Sequence, residues 1–70
     1  MTLKALQDIE TLCLRKFRAR AKKIAAENPG MRREIAFAMA TQAMPRTAVR
    51  YEFARSRLAL AGISAQPLFE

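Results

Sequence analysis

The stretch LKALQDIETLCLRKFRARAKKIAAENPG, residues 3–30, decides the fold. Apolar residues recur in it at Leu3, Leu6, Ile9, Cys13, Phe17, Ala21 and Ile24, in steps of three and four that only an α-helix places on one face. Lys4, Asp8, Thr11, Arg15, Arg18 and Lys22 form the opposite stripe, while Ala5, Leu12, Ala19 and Ala26 add a second apolar line at seven-residue spacing that widens the buried face. Thr2 is the candidate N-cap. Asn28-Pro29-Gly30 stops the helix, because proline biases the residue before it away from α geometry and glycine permits a turn. The spacing therefore predicts one helix over about 2–28, roughly 37 Å long at 1.5 Å per residue.

That rod is longer than a compact chain of 70 residues needs. So short a chain buries little apolar surface and requires a further source of stability. A single cysteine, Cys13, cannot close an intrachain disulfide, and with no histidine there is no zinc-ligand set of the usual spacing. Self-association remains, and a hydrophobic content of 51% supports it. No apolar run approaches the ~20 residues that span a bilayer. The first ten residues lack the basic and apolar regions of a secretory signal, so a cytoplasmic protein is expected.

A second helical segment is predicted over about 31–44, and its middle, Ile35-Ala36-Phe37-Ala38-Met39-Ala40, is apolar all round and expected to be buried on most sides. Its alanines allow another helix to approach closely. Pro45 either opens a third helix at its first position or kinks one long second helix. The third segment, about 46–61, is expected to present Val49, Phe53, Ser56 and Leu60 on one side, with Gly62 as C-terminal glycine and Ile63 as its apolar contact. Residues 1–62 thus read as one helical domain and 63–70 as an extended tail.

Charge narrows the function. Arg15, Lys16, Arg18, Arg20, Lys22 and Lys23 put six bases within nine residues, and the whole chain carries +7. Acids near the start and bases near the end of a helix complement its dipole, but this density exceeds what the dipole asks for. Arg32 and Arg33 sit at a helix start, where the dipole disfavours cations. A polyanionic or acidic partner is the expectation.

The segment Ala43-Met44-Pro45-Arg46-Thr47-Ala48-Val49-Arg50-Tyr51 resembles the turn and recognition-helix start of helix-turn-helix proteins. The resemblance implies a buried Val49, with Arg46, Thr47, Arg50 and Tyr51 projecting towards phosphates and base edges. The sequence departs from that pattern at Met39, where such folds place alanine, at Gln42, where they bury leucine, and at Glu52, where they bury an aliphatic residue. Without the resemblance, the segment is a Pro-initiated or Pro-kinked helix rich in arginine.

No Ser-His-Asp set, paired carboxylates in an apolar setting or glycine-rich phosphate loop can be assembled, so neither catalysis nor a cofactor or metal is expected. Cys13 lies on the apolar stripe and is assigned to the core. The resulting expectation is an all-α protein, a long helix folded back on a Pro-interrupted second half, forming a homodimer with a four-helix-bundle-like core. Its expected function is regulatory binding of nucleic acid, DNA favoured, through Arg15, Arg18, Lys22 and Lys23, with Arg46, Arg50 and Tyr51 for more specific contacts. The alternative is a small helical inhibitor or adaptor that docks the Pro45 kink, with Met44 and Tyr51, on an acidic protein surface. No membrane association is expected.

Overall fold

The computed structural model describes residues 1–69; Glu70, the last residue of the predicted tail, lies outside the described residues. The architecture is all-helical, with α1 at Leu3–Glu27, α2 at Arg33–Ala43 and α3 at Pro45–Leu60, and no strand among the described residues. The Thr2 hydroxyl accepts a hydrogen bond from the Ala5 amide at 3.1 Å and caps α1 as expected. Gly30 at φ 86° and Gly62 at φ 78° make the turns that follow α1 and α3, in a backbone region costly for other residues. Pro45 occupies the first turn of α3, where a missing amide hydrogen costs nothing, so it opens a third helix.

The helices form a hairpin. α1 packs along both α2 and α3, which touch each other little, so the second half runs back along α1 in two successive pieces. The molecule is accordingly elongated, 40 Å in its longest dimension. Cys13, Leu14, Phe17 and Ala21 of α1 meet Ala36, Phe37 and Ala40 of α2 in one core cluster. Phe17 and Phe37 stack edge to face at 5.7 Å between centroids, a geometry that sets the electropositive ring edge against a π face. Nearer the start of α1, Leu6 meets Ala54 and Leu58 of α3 in a second cluster. Small Ala36, Ala40 and Ala54, all at most 1% exposed, let the helix backbones approach closely.

Three expectations are corrected. The second apolar line of α1 does not widen the buried face, since Leu12, Ala19 and Ala26 are exposed. The middle of α2 is not covered all round, since Ile35 and Met39 are about half exposed. On α3 the Val49, Phe53, Ser56 and Leu60 side faces outwards: Val49 is 69% and Leu60 89% exposed, whereas Ala54 and Leu58 are fully buried. The apolar side of α3 was outbid by a face whose one charged member, Arg55, finds a partner on α1. This also removes the helix-turn-helix register, because Val49 faces outwards and Tyr51 packs against the Phe17 ring at 5.9 Å.

The tail is irregular yet docked. Arg55 donates to the Ile63 carbonyl at 3.0 Å. The Gln66 amide donates to Glu10 Oε2 at 3.3 Å, and its side chain to the Thr11 hydroxyl at 2.9 Å. Phe69 lies edge to face with Phe37 at 5.6 Å, beneath the Arg33 guanidinium at 4.4 Å. Arg33, a cation at an unfavourable helix start, is thus offset by a cation–π contact and by Glu34 at 3.4 Å.

Candidate nucleic-acid interface

The seven residues proposed from sequence fall into five places. Arg15 and Lys22, seven residues apart, share the outer edge of α1 and are exposed. Lys23 lies one step round, on the line of Lys16 and Arg20. Arg46 and Arg50, four apart on α3, are both exposed on one face. Arg50 and Lys16 line the same cleft between α1 and α3, about 410 Å³ in volume. The structure therefore brings Arg50 beside Lys16. The sequence-based set omitted Lys16 and Arg20, although both belong to the same basic run.

Arg18 and Tyr51 are placed otherwise. The Arg18 guanidinium donates to the Leu68 carbonyl at 2.8 Å and to that of Pro67, so it fastens the tail to α1. Tyr51 is half-buried against Phe17. Burial raises its pKa above the usual 10.0, with Glu10 adding to the effect, as expected when an anion would lose solvation. Its ring therefore serves the core edge.

Electrostatically, the basic surface is uncompensated among the described residues. None of Arg15, Lys16, Arg20, Lys22, Lys23, Arg46 or Arg50 forms an ion pair among the described residues, where the pairs are Lys4 with Asp8, Arg33 with Glu34 and Arg55 with Glu10. Five unpaired cations along little more than two turns of α1 create a concentrated positive field. At the cleft floor Cys13 is 4% exposed. Burial raises its thiol pKa above 9.0, although Lys16 and Arg50 pull the other way. It is a core thiol.

The pair that sequence reasoning missed is Glu10 with Arg55. Glu10 is 1% exposed, and its Oε2 accepts from Arg55 Nη1 at 3.0 Å. Glu10 sits one residue off the apolar stripe, and only the stripe's own spacing, Leu6 to Cys13, could have flagged it. Among the described residues no three His, Cys, Asp or Glu side chains gather as metal ligands, and no helix is long and apolar enough to cross a membrane. Compared with protein-family models, curated proteins and solved structures, the chain matches none.

Proposed function

We propose that this is a small regulatory protein, acting as a homodimer, that binds nucleic acid, DNA favoured, through the cationic side of α1. The observation that carries the reading is the row of exposed α1 bases lacking any acidic partner among the described residues. A fold gains nothing from concentrating like charge in this way, whereas a phosphate backbone releases counterions when such a row approaches it. Arg15, Lys22 and Lys23 hold phosphates in this reading, and Arg46 reaches from α3 as the candidate for base edges, arginine matching guanine, while Arg50 lines the cleft between α1 and α3. Arg18 and Tyr51 drop out of the contact set because the tail and the core employ them.

The test is the salt dependence of binding to a labelled DNA duplex, read by fluorescence anisotropy. Affinity should fall steeply with salt. Replacing Arg15, Lys22 and Lys23 by glutamine should weaken binding at low salt and lower the slope of log K against log salt by about 2 to 3, at ~0.9 per phosphate released. An unchanged slope in a folded triple variant would remove these residues from the interface.

A further inference from the structure

The helical hairpin has two flanks between α1 and the second half, and they are finished differently. On one, the tail lies across α1 from Gln66 to Phe69, held by Thr11, Arg18 and Phe37. On the other, the cleft floored by Ile9 and Cys13 is open, and its large apolar walls face solvent: Leu12 is 54%, Val49 69% and Phe53 43% exposed. A helical layer with an apolar flank is stable when a second layer covers it.

The pattern along α1 says what that layer is. Ala5 and Ala19 stand seven residues before and after Leu12, and Asp8 and Lys16 stand four before and after it. When two such helices run antiparallel about a two-fold axis at Leu12, each residue faces the one equally far on the other side. Alanine then meets alanine, Leu12 meets its own copy, and Asp8 of each chain meets Lys16 of the other. Both charges are available. Lys16 has no ion pair among the described residues, and the Asp8 contact with Lys4 is an exposed one at 3.8 Å, of a kind worth little. Val49 and Phe53 border the same cleft as Leu12 and join the seam from α3.

On the homodimer reading above, we infer that this open flank is the dimer interface: a second copy of the chain packs antiparallel across a two-fold axis at Leu12, closing a four-helix bundle with the tails outside. The interface is isologous, as a two-fold requires. It matches acid with base in two symmetric places, Asp8 of each chain with Lys16 of the other, while the same axis sets Lys4 across from Arg20 at the rim.

Sedimentation equilibrium of the full chain tests it. The wild type should be dimeric at micromolar concentration. Asp8→Lys and Lys16→Asp should each raise the dimer dissociation constant by about tenfold, since each puts two like-charge pairs in the seam, and the double exchange should restore it. Leu12→Cys in a Cys13→Ala background should oxidise to a covalent dimer. Asp8, Leu12 and Lys16 are exposed within one chain and Cys13→Ala keeps a small apolar residue in the core, so these variants keep the hairpin, which circular dichroism checks. A monomeric wild type would overturn the interface and the homodimer reading together. A dimer indifferent to the charge exchanges, with no Leu12→Cys cross-link, would overturn this interface alone.

Discussion

At the scale of single residues, the least conspicuous position in the sequence has the largest structural role. Glu10 reads as one of the acids that balance the first turns of a helix, yet among the described residues it is the one charged side chain that is fully buried. It holds Arg55 and the Gln66 amide, and so ties α1 to α3 and to the tail at one carboxylate oxygen. A buried pair contributes less than its attraction suggests, because both ions are desolvated, but breaking one is costly. Arg55→Leu, which strands the carboxylate, should destabilise the protein by about 3 kcal/mol, measured by urea titration of helical signal. Glu10→Met with Arg55→Leu should recover much of that loss. The two raised acids give a second prediction. Cys13 and Tyr51 have folded pKa values above 9.0 and 10.0, both through burial, so the fold favours their neutral forms. The stability they supply is complete below about pH 9 and is lost as pH climbs through the raised values. Melting temperature should hold from neutrality to about pH 9 and fall beyond it, and phenylalanine at position 51 should flatten part of that fall.

At the scale of elements, α1 was legible from end to end because its signals are local: a stripe of apolar residues every three or four positions, a Thr2 cap and an Asn28-Pro29-Gly30 stop. The break at Met44 was also legible, with Pro45 leaving open only whether it starts or bends a helix. The orientation of α3 was not. Val49, Phe53 and Leu60 make its more apolar side, but the side that packs inward holds Ala48, Tyr51, Ala54, Arg55 and Leu58. An arginine is admissible there only because Glu10 awaits it 45 residues away, and no periodicity within α3 encodes a partner on α1. The docked tail was illegible for the same reason, since its anchors, Arg18, Arg33 and Arg55, come from three helices. The same docking hid the fate of Arg18, a plausible phosphate ligand by sequence and a tail clasp by geometry. Phe69→Ala should free the tail from the α1–α2 side at a cost of about 1 to 2 kcal/mol, below the 3 to 5 of a fully buried phenylalanine. Hydrogen exchange at the Gln66 amide, bonded to Glu10, should speed up in that variant while exchange in the middle of α1 responds only to the global loss.

At the scale of the whole molecule, sequence length already implied that the hairpin needs help, and the open flank shows where help is missing. A single chain encloses two small clusters, one built around Phe17 and Phe37 and one around Leu6 and Leu58, while Leu12, Val49 and Phe53 remain in water. If a second copy covers them, folding and association are one equilibrium, and stability depends on protein concentration. Each tenfold rise in concentration then adds about 1.4 kcal/mol per dimer, or about 0.7 per chain. Domains of this size shift by roughly 4 to 8 °C for each kcal/mol, so the melting temperature should climb by about 3 to 6 °C for every tenfold increase. Leu12→Glu should abolish that dependence and leave a less stable chain whose melting is the same at all concentrations. If α1 binds phosphates and a second copy covers the Leu12 flank, added DNA should raise the melting temperature of the wild type at low salt and lose that effect as salt increases, because phosphate contacts are screened while an apolar seam is not. The two dependences therefore separate the surfaces: concentration reports on the Leu12 flank, and salt-sensitive stabilisation by DNA reports on Arg15, Lys22 and Lys23.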